Sequence, residues 1–210
     1  MIIWRMIAFM AVASLAVGCA VGNQYDYRAG SASVPDTGAS RIAIAVTDLR
    51  SYVVTGEKPV DFVGLQRGGF GNPFDVTTSS GAPLASDFAD LLRNSFATKG
   101  AEADVIPLTA DTEAEAAVAA FMDSDADRLL IVEVHEWKTD VYAQVTVHWN
   151  LTAKVFDRSG RRLAEESLRG VQGTGTSGLF EAEKNRIATA EASKRFSELL
   201  ARPAIAAALR

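Results

Sequence analysis

Cysteine is almost absent from this chain: Cys19 is the only one in 210 residues. A single thiol excludes an intrachain disulfide, so folding must rest on the core. Histidine is nearly as scarce, with only His135 and His148. Pairing their strands places them about 13 Å apart, too far to share a zinc ion. No block of Lys and Arg occurs, which argues against nucleic acid and against electrostatic docking on anionic lipid. Beyond the first nineteen residues there is no long uncharged apolar run, so no membrane-spanning helix is expected. Nucleophiles fare no better. No serine sits in a nucleophile-elbow context, and Glu133 and Glu136 fall on opposite sides of their strand. No catalytic residue, metal ligand or cofactor is nominated.

What is present begins at the N-terminus. Arg5 is followed by an apolar run to Val17, and Ala16-Val17-Gly18 leads into Cys19. The run has the length of a signal-peptide core, about 7–15 residues, and is too short to span a bilayer. The small residues before Cys19 resemble the bacterial lipobox, with Ala16 standing where leucine is usual. Residues 1–18 are therefore expected to be a lipoprotein signal, and Cys19 the site of acylation with palmitate-type chains. A plain signal peptide with an incidental cysteine is the alternative. By resemblance to enterobacterial sorting, Ala20 favours the outer membrane. Removing the leader takes away one basic residue, Arg5, and leaves 192 residues with 20 basic and 26 acidic side chains, net −6.

Residues 19–40 are rich in Gly, Ser, Asn and Asp and read as a lipid-anchored flexible tether, although Tyr25 and Tyr27 have packing potential. Residues 41–210 read as one periplasmic domain. Arg41 to Leu49 alternates Ile42, Ile44 and Val46 with smaller residues, a strand with one large-residue face. Arg50 to Pro83 shows no sustained period and reads as a long inserted loop. Pro83 opens and Gly100 closes a helix whose Leu84, Phe88, Leu91, Leu92 and Phe96 share a face. A short strand at Ala103 to Pro107 and a helix capped by Asp111 or Thr112 come next.

The strongest pattern is a hairpin, Arg128 to Lys138 and Val141 to Phe156, turning at Thr139-Asp140. In its second strand Val145, Val147, Trp149, Leu151, Ala153 and Val155 alternate with polar residues, so one face is buried. A strand near Arg162 to Gln172 and a helix from about Leu179 to Ala201, stopped by Pro203, complete the chain. The fold class is α+β, in the order β-α-β-α-β-β-β-α. It is a mixed, largely antiparallel sheet of about five strands with helices on one face.

Two stretches invite a partner. In the loop, Gly64, Gly69 and Gly71 give an accessible backbone, and Arg67 and Asn72 offer polar groups. Phe70 and Phe74 offer apolar anchors there. The same residues serve equally well as a structural loop capping the core. Trp137 and Tyr142, side by side on the hairpin's polar face, form a second candidate patch. Gly173-Thr174-Gly175-Thr176-Ser177-Gly178 matches a dinucleotide fingerprint. No strand with an acidic residue follows it, so it reads as a strand-to-helix joint.

Several of these stretches together resemble the YajG-like family of outer-membrane lipoproteins. They are Cys19, Asp48-Leu49-Arg50, the Leu84–Gly100 helix, Tyr142-Ala143-Gln144-Val145, the Asp157–Gly160 turn, Val171-Gln172-Gly173 and the last helix. The topology is also similar to small periplasmic domains of curli-secretion and penicillin-binding-protein-activator lipoproteins. The resemblance implies a non-enzymatic, lipid-anchored envelope protein, periplasm-facing at the outer membrane. It implies binding of an envelope protein partner or self-association. The alternative is a carrier for a lipid or a cell-wall fragment.

Overall fold

A computed structural model describes residues 23–38, 41–108, 114–175 and 180–210. Cys19, the leader and the helix cap at Asp111 or Thr112 lie outside these residues, as does part of the 173–178 joint. The strands are β1 (Gln24–Tyr25), β2 (Arg41–Asp48), β3 (Phe62–Arg67), β4 (Pro73–Thr78), β5 (Glu102–Val105), β6 (Arg128–Val141), β7 (Val145–Asp157) and β8 (Arg162–Gly173). The helices are α1 (Ser51–Val54), α2 (Leu84–Ala97), α3 (Ala114–Met122), α4 (Glu181–Leu200) and α5 (Pro203–Ala208).

All eight strands join one mixed sheet with β6 as its spine. One edge of β6 pairs antiparallel with β7, which pairs antiparallel with β8. The other edge is divided between two parallel neighbours: β2 takes Arg128 to Val134, and β3 takes Thr139 to Val141. Strand β5 flanks β2, while β4 and then β1 flank β3. The fold is thus the expected α+β arrangement, with eight strands among the described residues in place of about five. The three additional strands arise where the sequence shows no period. Two come from the stretch read as an inserted loop, and one from the stretch read as a tether.

The break between β2 and β3 is closed by Arg50. Its guanidinium is fully buried and grips Asp48 in two contacts, Nε to Oδ1 at 2.8 Å and Nη2 to Oδ2 at 2.6 Å. Nη1 donates to the carbonyls of Phe62 (2.6 Å) and Trp137 (3.1 Å). Buried carbonyls need partners. Here Arg50 supplies the Phe62 carbonyl and, with the Tyr52 hydroxyl (3.2 Å), that of Trp137.

A β-bulge at His135, between Val134 and Glu136, changes which side chains of β6 face the core. Before it, Leu130, Val132 and Val134 point inward; after it, Trp137 and Val141 do. Trp137 is therefore buried rather than exposed beside Tyr142, and its indole N–H donates to the Tyr27 hydroxyl at 2.9 Å. The hairpin also turns later than expected, at Tyr142 to Gln144, so Val134 faces Leu151 and Val132 faces Ala153. Its apolar face is the expected one and its register is not.

The main core lies between that face and α2, α4 and α5. The α2 residues Leu84, Phe88, Leu91, Leu92 and Phe96 are all buried, as their spacing predicts. Helix α3 is the exception to a single helical layer. Its Ala117 and Phe121 pack on Ala43, Ala45, Leu129 and Ile131, on the opposite side of the sheet. Pro203 ends one helix and, at the first position of α5, begins another.

Residues 23–38 are integrated into the fold rather than free of it. Tyr25 and Tyr27 are fully buried, and Tyr27 stands edge-on to Phe88 and Trp137. Further along, serines of the two long helices receive the backbone. Ala32 N–H donates to Ser95 Oγ (2.8 Å), Ser31 N–H to Ser193 Oγ (3.1 Å) and Ser33 N–H to Ser197 Oγ (2.8 Å). A Gly- and Ser-rich composition suits this path, because small residues let the backbone lie close to helices. Gly30 sits so near that a Cβ would stand 2.7 Å from Leu91.

Candidate docking end of the sheet

The 50–83 stretch builds its candidate site as a β-hairpin. Gly64 has a packing role: a Cβ there would fall 2.0 Å from Thr139 Oγ1 and 2.5 Å from its carbonyl oxygen, so β3 can approach β6 only without a side chain. The hairpin tip closes with Gly68 N–H on the Asn72 carbonyl (2.9 Å) and Gly71 N–H on that of Gly68 (2.8 Å). Gly71 has φ +82°, a conformation side chains rarely adopt. Gly69 has open space around its Cα and no such constraint. At the summit Phe70 is 100 % exposed, and Phe74 is exposed on the returning strand.

Because β3 and β6 run parallel, the hairpin tip lies beside the β6–β7 turn. Gln66 stands level with Val141. Arg67 reaches across to Asp140 with two hydrogen bonds, Nε to Oδ1 at 2.9 Å and Nη2 to Oδ2 at 2.7 Å. Thus Arg67 serves as a clamp between two hairpins, and its fork of donors is largely committed. The Arg67 guanidinium holds the Asp140 carboxyl below its ordinary value. Tyr142, in the neighbouring turn, is 62 % exposed. A shallow depression of about 320 Å³ lies between them, lined by Arg67, Asp140, Tyr142, Gln144, Thr146 and His148. Partial burial, then the nearby Lys138, pushes the imidazole of His148 below its ordinary value. Lys58 and Asp75, bonded at 2.5 and 2.7 Å, brace the outer strand β4.

Of the nominated residues, the structure brings together Arg67, Gly69, Phe70, Gly71, Asn72, Phe74 and Tyr142. It removes Trp137 to the core and gives Gly64 a packing role. Asp140 was missed because a Thr-Asp pair between two apolar runs reads as a turn. Phe180, 73 % exposed just before α4, was also missed; no periodicity marks it. Among the described residues, no three His, Cys, Asp or Glu side chains are grouped to hold a metal ion.

The chain matches no protein-family model and no curated protein. Among solved structures it is similar to protein XCC0632 from Xanthomonas campestris, of the DUF330 family. That likeness has a TM-score of 0.53 at 12% identity and covers 85% of this chain and 94% of the other. Looser likenesses include the PelC dodecamer of Paraburkholderia phytofirmans, with TM-score 0.43, 16% identity and coverage of 82% and 94%. Another is lipoprotein GNA1162 of Neisseria meningitidis, with TM-score 0.33, 17% identity and coverage of 72% and 99%. The first likeness shows a shared fold. The resemblance to the YajG-like family gains nothing specific from it.

Proposed function

We propose that this is a non-enzymatic, lipid-anchored envelope protein of the bacterial outer membrane, whose periplasmic domain docks its hairpin end against another envelope component. One observation carries the reading. Two contact elements nominated separately in the sequence, the Phe70 tip and the Tyr142 turn, are clamped side by side by the Arg67–Asp140 pair. Prealigned exposed aromatics are suited to docking, because holding them in place beforehand lowers the ordering cost of association. The leader and the lipobox-like run at Cys19 support the location. For the carrier alternative, the depression beside the loop is shallow and open, so it does not enclose a cargo.

The test is photo-crosslinking in living cells from position 70, with Asp123, beyond the far end of the sheet, as the control position. An adduct at position 70 and none at 123 supports docking; equal labelling at both sinks it. Palmitate incorporation that disappears in Cys19→Ala checks the anchor.

A further inference from the structure

The four exposed aromatic side chains among the described residues are Phe70, Phe74, Tyr142 and Phe180. All stand at the same end of the sheet. Phe70 and Phe74 belong to the β3–β4 tip, and Tyr142 to the β6–β7 turn, level with it. Phe180 precedes α4, whose Glu181 lies against Asn23 and whose Asn185 accepts the Asp26 N–H at 2.7 Å. That places the start of α4 beside the start of β1.

The described chain also enters the fold at this end. Gln24 pairs with Thr77 in a parallel ladder, and β4 runs away from the tip from Pro73 onward. Asn23 is therefore level with Val76, four residues and roughly 13 Å short of Asn72 at about 3.3 Å per residue. Cys19 is four residues before Asn23, a covalent reach of at most about 14 Å. Fully extended toward the tips, that joint brings Cys19 just level with Asn72, so a bilayer carrying its acyl chains lies within about 14 Å of Asn23. Strand β6, with 14 residues, puts the opposite end of the sheet roughly 45 Å away.

We infer that the envelope component met by this end is the lipid surface that carries the protein's own anchor. The domain stands end-on to the bilayer, with Phe70, Phe74, Tyr142 and Phe180 seated at the headgroup boundary. This rests on acylation of Cys19 and on the hairpin end being the docking end. The occupant is lipid on three grounds: the short covalent reach, the gathering of exposed aromatics at that end, and the charge there. Of the cations there, Arg67 and Lys58 are each paired with a carboxylate, Asp140 and Asp75, and Lys138 stands within electrostatic range of Asp140. Attraction to anionic headgroups is consequently weak, and apolar seating accounts for the contact. Docking should then persist when salt is raised, unlike a charge-driven contact.

The experiment uses the full-length acylated protein in vesicles of phosphatidylethanolamine and phosphatidylglycerol. With Cys19 consumed as a thioether, a cysteine introduced as Phe70→Cys is the only thiol and takes an environment-sensitive fluorophore. Labels at Asp123→Cys and at Lys194→Cys, on the exposed side of α4, report the far end and a flat orientation. The expected result is blue-shifted emission quenched by doxyl-labelled lipid at position 70 and at neither control. With the label at Tyr142→Cys instead, Phe70→Ser should lower the docked-to-undocked ratio roughly tenfold, the equivalent of losing one buried phenylalanine.

A water-exposed label at position 70, or lipid quenching at 194 instead, overturns the inference. In the first case, a protein adduct from position 70 in cells would leave the docking reading standing and replace its occupant. A free Cys19 thiol in protein extracted from membranes would overturn the inference and the anchored reading alike.

Discussion

Replacing Arg50 with methionine tests how this sheet is held together. The guanidinium is fully buried, satisfies the Phe62 carbonyl, shares the Trp137 carbonyl with Tyr52, and neutralises Asp48. Methionine fills much of the volume and supplies no donor. Removing one partner of a buried ion pair costs about 3–5 kcal/mol, because the remaining charge stays desolvated. Leaving the Phe62 carbonyl without its donor adds about 1–3 kcal/mol. Allowing for relaxation, Arg50→Met should lose about 3–6 kcal/mol, a large part of a typical total of about 5–15 kcal/mol. For a domain of this size each kcal/mol moves the melting temperature by about 2–4 °C, so a fall of the order of 10–20 °C is expected. Urea unfolding followed by tryptophan fluorescence gives the free energy directly. The double substitution Asp48→Leu with Arg50→Met removes the stranded charge and should recover part of the loss, while the orphaned Phe62 carbonyl keeps it below wild type. A loss under about 1 kcal/mol in the single variant would refute the reasoning. So would a double variant as unstable as the sum of its singles.

Three further substitutions read other parts of the structure. Gly64→Ala forces β3 away from Thr139 and should destabilise by about 1–3 kcal/mol in the same urea assay; an unchanged midpoint would show that the close approach is dispensable. Tyr27→Phe leaves the Trp137 indole N–H without its hydroxyl acceptor in the core and should cost about 1–3 kcal/mol, again read by urea unfolding. Asp140 is held below its ordinary value by Arg67, so its contribution is present above the unfolded value of about 3.9 and is lost as pH falls through the lower folded value. The protection factors of the Gln66 and Arg67 amides, measured against their intrinsic exchange at each pH, should therefore fall in acid. Asp140→Asn should exchange faster already at pH 7 and show no acid step; wild-type rates at pH 7 would deny the clamp its role.

What could be read from the sequence was mostly which face a residue takes, and what could not was which strand it meets. Alternation along Val145 to Val155 fixes a buried side without naming an opposite residue, and so the hairpin's face was legible while its turn was displaced. The displacement follows from Thr139 and Asp140 being used by β3, a strand with no period to announce it. Trp137 was lost to a single extra residue. A bulge inverts every following side chain, and nothing in Val134-His135-Glu136 marks one. Strands β3 and β4 escaped notice because Gly64, Gly68, Gly69 and Gly71 suppress the pattern. Their tip still drew attention through Phe70 and Phe74, which no loop needs so near to glycine. The tyrosines at 25 and 27 hinted that the presumed tether would pack, since a large aromatic in a polar stretch is costly to leave in water.

That packing bears on function. A free tether of some twenty residues would hold a domain about 25 Å from its lipid and let it turn in any direction. Here the backbone is bound from Asn23 onward, in β1 and then along the serines of α2 and α4. Only three residues separate Asn23 from Cys19. The same chemistry that makes 23–38 look like a linker, small side chains and available backbone donors, is what lets it be held along two helices. An anchor attached so near a bound strand transmits orientation as well as proximity. With Cys19 acylated as proposed, the end bearing Phe70 and Tyr142 takes a set position relative to the membrane, whatever else the domain meets. Lengthening that joint with Gly-Ser repeats between Cys19 and Asn23 should leave urea stability unchanged while weakening lipid quenching at position 70. If quenching survives a twenty-residue insertion, the aromatics seat themselves without help from the short joint. If it vanishes, the joint holds them there.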